Sequence, residues 1–208
     1  MRAGGVTLAP WYGGEPSALR FERDETEVIR GQLFERLLDG RIAFLAGVEQ
    51  WIVHERGDVR ELRRTNAAAL WQRGPSGDVE RRIGLKSHLV IGGETAFGLE
   101  DVGFVRDLAY EMAGYVPDIV PGERAEVLAL RAAGGDYHLA ATVCFDNAFE
   151  DVYVETAQRE PVDAHVVLSN EAWYKRSFEL DQMVAFSKVA AIETGRAVVR
   201  CTIRASPA

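Results

Sequence analysis

The chain has 208 residues, of which 47% are hydrophobic and 27% charged, with a net charge of −8. That is enough material for one sizeable core. The acidic balance excludes a broad nucleic-acid surface or a basic membrane patch. No apolar run approaches the roughly 20 residues of a membrane span.

Residues 1–20 are rich in Gly and Pro and read as irregular, without the apolar stretch of a secretory signal. Residues 24–39, DETEVIRGQLFERLLD, place Val28, Ile29, Leu33, Leu37 and Leu38 at helical spacing, with acids in the first turn and Gly40 as a stop. Strand-like runs follow at 42–53 and 66–74, the second closed by the turn GPSGD. Residues 86–94, KSHLVIGGE, read as a Gly-ended strand or loop, and 104–115 as a short helix. Residues 125–145 hold two strands joined at Gly134–Gly135. An acidic amphipathic helix over 148–160 is stopped by Pro161, and 164–170 is a short buried strand. The segment 179–195 predicts a helix with Met183, Phe186, Val189, Ala190 and Ile192 inward and Gly195 as its cap. Residues 196–203 form the last strand. Strands alternating with helices predict a layered α/β (α+β) fold in one domain spanning 1–208.

The stretch HLAATVCFDNAFED, 138–151, carries the chemistry. An apolar strand ends in Cys144 and turns at once to acids. A buried structural cysteine is the plain reading; a thiol presented to a cleft is the sharper one. The second cysteine, Cys201, lies in VVRCTI, where alternation points it into a packed sheet face. Both read as reduced thiols. The four histidines, His54, His88, His138 and His165, lack the spacing of a zinc site, so no metal or other cofactor is expected.

A thiol nucleophile needs an activating neighbour and donors for the oxyanion formed on attack. The backbone N–H of Phe145, at the strand-to-helix turn, is one donor. Lys86 is one of three lysines in an arginine-rich chain. It suits a confined site, but on these residues alone a solvated strand-end cation is the favoured reading. Trp173, beside Asn170 and Glu171 at a strand end, suits a pocket wall or core packing.

Together, TVCFDNAFED, LSNEAWYKRSFELDQMVAFSKVAAIETGRAVVR and LKSHLVIGGE resemble the carbon-nitrogen hydrolase (nitrilase) superfamily, and most of all its apolipoprotein N-acyltransferase branch, over residues 40–203. That branch has a Cys-aromatic-acid segment after a strand. It also has an Asn-acid-Ala-Trp-aromatic segment, a helix ending Ile-Glu-Thr-Gly-Arg, and a Lys-x-His-Leu-Val-Pro-Phe-Gly-Glu segment. The resemblance implies an α-β-β-α sandwich, here incomplete at both ends. It implies Cys144 as nucleophile, Lys86 on the oxyanion, Glu94 as the supporting glutamate, Phe145 and Asp146 in the positions after the nucleophile, and Trp173 in the pocket. It implies acyl transfer through a thioester, from a phospholipid donor to a lipoprotein N-terminus. The domain would then face the periplasm from a bacterial inner membrane, with spans upstream of this chain. A soluble, cytoplasmic amidase acting on a small amide and a non-catalytic remnant are the alternatives.

The pattern departs from that branch in places. Ile91-Gly92 stand for Pro-Phe, Ala190 for an arginine, and Ile203 for an asparagine. The Pro-Glu-Thr segment carrying the general base is missing. The base is expected upstream of Met1, with Glu15 as a weak internal candidate. Apolar residues exposed over 99–120 would favour a lipid substrate.

Overall fold

A computed structural model describes residues 6–7, 42–56, 59–96, 98–99, 102–113, 116–174 and 177–203. The helix expected over 24–39 and the candidate base Glu15 lie outside these residues, as does most of the irregular segment 1–20.

Two four-stranded sheets carry the fold. In the first, β2 (Phe44–Arg56) and β3 (Val59–Arg73) pair antiparallel from Phe44↔Trp71 to Arg56↔Val59. The other edge of β3 takes β4 (Val79–Leu85) antiparallel and β1 (Val6–Thr7) parallel. The turn expected at GPSGD joins β3 to β4, with Gly77 at φ +84° and Gly74 N–H donating to the Asp78 carbonyl. Both hairpin arms extend past the ranges expected, 42–53 and 66–74, and β4 was not foreseen. VRELRRT and VERRIGL crowd charges into strand positions and hide the period-two apolar signal. Their pairing is set by the ladder with the neighbouring strand.

The second sheet runs β5 (Val127–Ala132), β6 (Gly135–Val143), β7 (Ala164–Asn170), β8 (Ala197–Ile203). The first pair is an antiparallel hairpin turning at Gly134–Gly135, where Gly135 takes φ +133°. The β6–β7 and β7–β8 pairs are parallel. Ala68 and Leu70 of one sheet meet Leu128, Ala141, Val143 and Leu168 of the other in a shared core. Gln72, buried in β3, fastens the sheets: its amide donates to the Ala129 carbonyl (3.0 Å) and accepts from Arg131 N–H (2.9 Å).

Three helices stand among the described residues: α1 (Gly103–Ala113), α2 (Glu150–Arg159) and α3 (Glu179–Thr194). The last two cover the far face of the second sheet through Val152, Tyr153, Ala190 and the half-buried Val198. The chain thus has a mixed α+β architecture. Gly195 caps α3 in the left-handed conformation, φ +62°. The face that α3 buries is Met183, Ser187 and Ala190. Of the five residues expected inward, Phe186, Val189 and Ile192 are exposed. Its apolar residues are spread around the helix rather than gathered on one face, so hydrophobicity alone could not pick its inner stripe. Polar partners chose it: Ser187 donates to Asn147 Oδ1 (2.6 Å) and receives Arg200 Nη1 (2.7 Å).

Cys201 also departs from expectation. It pairs with Leu168 and so shares the inter-sheet face, yet it is exposed, as are Val199 and Ile203. Its strand is the edge of the second sheet. Alternation gave the right face; no described strand of the first sheet lies opposite it.

Candidate active site

β6 delivers Cys144 to its C-terminal end, where the chain bends into a short 3-10 turn, Cys144–Ala148, before α2. The turn takes the start of the helix expected from 148. Cys144 sits at φ +54° and is half-buried; it is the one non-glycine residue at positive φ among those described. The left-handed region is uncommon for such a residue and costs about 1–3 kcal/mol, so the surroundings must hold it there.

Asp146 supplies much of that hold. Its buried carboxylate accepts from Val143 N–H through Oδ2 (3.1 Å), closing the turn on itself. Through Oδ1 it accepts from the backbone N–H of Ser87 (3.2 Å) and His88 (2.7 Å). The turn that carries Cys144 is therefore tied to the segment that carries Lys86. Burial pushes the Asp146 carboxyl above its ordinary pKa, opposed by those backbone hydrogen bonds and by the charges of Lys86 and His88.

Lys86 is fully buried, which overturns the reading of it as a solvated cation. Its Nζ meets Glu94 Oε2 at 2.6 Å. Its backbone is held at both ends, N–H to the Asn66 carbonyl (2.9 Å) and carbonyl to Gly122 N–H (2.7 Å). Gly122 is required there, because an added Cβ would lie 2.7 Å from Leu85 Cβ. Residues 86–94 form a loop, with isolated bridges of Ile91 to Thr95 and Thr95 to Asp118. Glu94 is fully engaged: Oε1 accepts from Asn66 Nδ2 (2.6 Å), and Oε2 from Lys86 and from Val90 N–H (2.8 Å).

The segment after β7 closes the site as a second 3-10 turn, Glu171–Tyr174. Glu171 is buried and ion-paired with Arg200 of β8. Arg200 also reaches Ser187 and the Met183 carbonyl, while Asn147 of the first turn donates to that same carbonyl (2.8 Å). Both turns are thus anchored to α3 by one buried polar network. The Tyr174 hydroxyl is pushed above its ordinary pKa by burial first, then by the Cys144 and Glu171 charges, a hydrogen bond with Cys144, and the Glu94 charge. This puts Tyr174 beside the thiol. Sequence reading singled out Trp173 and passed over its neighbour; the aromatic that ends NEAWY was the available signal. Trp173 lies in the same turn, its side chain outside the described set. Phe145 follows Cys144 half-buried, its ring edge-on to Phe149 at 5.1 Å.

The fold therefore gathers Cys144, Phe145, Asp146, Lys86 and Glu94 around two turns and one loop. A thiol stands at a strained strand end, and its turn is tied through Asp146 to the segment carrying a buried ammonium whose counter-ion is locked in place. Such an arrangement can stabilise negative charge beside the sulfur. Among the described residues, no three His, Cys, Asp or Glu side chains group as metal ligands. No protein-family model matches the chain, and no curated protein matches it.

Proposed function

We propose that this chain is a cysteine acyl-transfer domain of the nitrilase type, an α-β-β-α sandwich closest to the apolipoprotein N-acyltransferase branch. The observation that carries this reading is Cys144 held at φ +54° at the end of β6, with its turn tied through Asp146 to the segment of the buried Lys86–Glu94 pair. A core cysteine needs neither the strain nor the tie. The Cys144 sulfur attacks an acyl ester carbonyl, and Lys86 and the Phe145 N–H hold the oxyanion. The C–O bond breaks, leaving a thioester and an alcohol. An amine then attacks the thioester, the C–S bond breaks, and the thiolate is restored. Glu94, with both oxygens already committed, supports Lys86 and is poorly placed to take the thiol proton. A separate carboxylate is needed for that step, and Glu15 is the candidate within the chain.

A lipid donor is favoured by the apolar surface of Leu99, Val102 and α1. Phe104, Leu108 and Met112 recur at every fourth position of that helix and are 73%, 50% and 80% exposed. No helix among the described residues is long and apolar enough to cross a membrane, so contact with lipid would be made at the surface. The test is incubation with a phospholipid or a long-chain acyl ester, followed by intact and peptide mass spectrometry. The expected result is an acyl adduct on Cys144, lost in Cys144→Ala and slowed about a hundredfold when Lys86→Met and Glu94→Gln are combined. Adduct release to an added amine supports acyl transfer, and release to water alone supports an amidase. No adduct under any donor, from this chain or from one extended upstream of Met1, would remove the reading.

A further inference from the structure

We propose that His88 is a positioning residue: it pins the segment carrying Lys86 to the turn carrying Cys144 and to the helix behind that turn. This rests on the reading of Cys144 as the nucleophile and Lys86 as its cationic partner.

The His88 imidazole meets four neighbours at once. Its plane stacks on Phe149, with ring centroids 4.0 Å apart and 16° between planes. Its Nε2 lies 3.2 Å from Asp151 Oδ2 in the first turn of α2. Its Nδ1 lies 3.2 Å from Ser87 Oγ and 3.7 Å from Asp146 Oδ1. Nε2 thus faces the Asp151 carboxylate, and Nδ1 faces the Ser87 hydroxyl, whose one proton is shared between the ring and Asp146. That hydroxyl is also 3.3 Å from Asp146 Oδ1. The charged groups facing the ring are thus Asp146 from the nucleophile turn and Asp151 from α2. Glu155, Glu123, Arg124 and Arg159 line the same cleft.

Lys86 is fixed at its tip by Glu94 and at its backbone by Asn66 and Gly122, all on the side of the first sheet and its loops. Toward Cys144, the ties of this segment among the described residues run through Ser87 and His88. The backbone ties converge on one oxygen of Asp146. The imidazole adds a second attachment, on a different element and with a fixed plane. A stabilising charge must be held to within about an ångström to be effective, because a misplacement of that size can cost a hundredfold in rate. A ring that only filled space would need no aligned partners on both nitrogens.

The test reads Cys144 reactivity in the whole chain, with Cys201→Ser leaving one thiol. The rate of alkylation by iodoacetamide at fixed pH is followed by mass, and each variant's melting temperature is recorded. His88→Ala should slow alkylation about tenfold. His88→Phe keeps the stack and the volume but donates nothing; it should be as slow as the alanine variant, whereas a packing role would restore the parent rate. Asp151→Ala, a change at a half-exposed carboxylate, should slow the reaction similarly without threatening the fold. Combined with His88→Ala it should add no further loss. A parent-like rate in His88→Phe, a faster reaction in His88→Ala, or additive losses would overturn the pin. The paired Lys86→Met, Glu94→Gln variant separates the two claims. If it slows alkylation and the His88 variants do not, the pin alone fails. If it leaves the rate unchanged, Lys86 does not serve Cys144 and both claims fall.

Discussion

His165 is the residue with the least apparent reason to be where it is. It is fully buried in β7, edge-on to Tyr153 at 4.9 Å, with neither ring nitrogen hydrogen-bonded among the described residues. Burial, aided by the Arg196 charge, lowers its pKa to about 4. Between pH 6.5 and about 4 the unfolded chain binds a proton that the folded one refuses. Stability therefore rises with pH across that window and is lost as pH falls through it, by about 3 kcal/mol on a 2.5-unit shift. Asp146, whose carboxyl is raised, works the other way: its ionisation costs stability as pH rises. Replacing His165→Leu should flatten the first slope. Denaturant unfolding at pH 7 and pH 4.5 measures it, and an undiminished loss of stability in the variant would refute the assignment. At this scale the motifs drew attention to Cys144, Lys86 and Glu94, and the structure pairs Lys86 with Glu94 and ties their segment to the Cys144 turn. The sequence was silent on His165 and Tyr174, whose importance lies in what surrounds them.

Elements were legible in proportion to how cleanly they separate apolar from polar positions. The strand 164–170 is observed within its expected bounds, and the helices at 103–113, 150–159 and 179–194 lie within two residues of their expected ends. The charged ribbon 59–65 and the strand 79–85 were hidden because their order comes from ladder partners. Gln72 makes the same point from inside a strand. It reads as a polar interruption of an apolar run, and it is a side chain that joins the sheets, alongside the Arg131–Glu80 ion pair. Gln72→Leu should therefore destabilise the protein by about 2 kcal/mol, since it strands the N–H of half-buried Arg131 and the carbonyl of half-buried Ala129. A cost below about 1 kcal/mol in denaturant titration would mean that the sheets do not depend on it.

Among the described residues, the exposed apolar side chains include a regular stripe, Phe104, Leu108 and Met112 on α1. With a net charge of −8 there is little electrostatic pull toward anionic lipid, so any affinity for a bilayer must come from burying such side chains. The proposed lipid substrate thus predicts flotation with zwitterionic phosphatidylcholine vesicles. Changing all three residues to Ser should lower that association more than about tenfold while leaving Cys144 alkylation unchanged. Equal flotation by parent and variant would detach the stripe from any lipid role.

The parallel register of the second sheet has a consequence for handling the protein. Val143, Leu168 and Cys201 are aligned across three strands, so Cys201 stands about 10 Å from the residue that precedes Cys144. A disulfide needs Cα atoms within about 7 Å, so the two sulfurs of this chain cannot bridge each other without moving the strand between them. Oxidising storage therefore acts on the two thiols separately, and the more exposed one, at the sheet edge, would couple copies of the chain there. The same spacing makes the pair a built-in molecular ruler, with one label at the edge strand reporting on the turn two strands away.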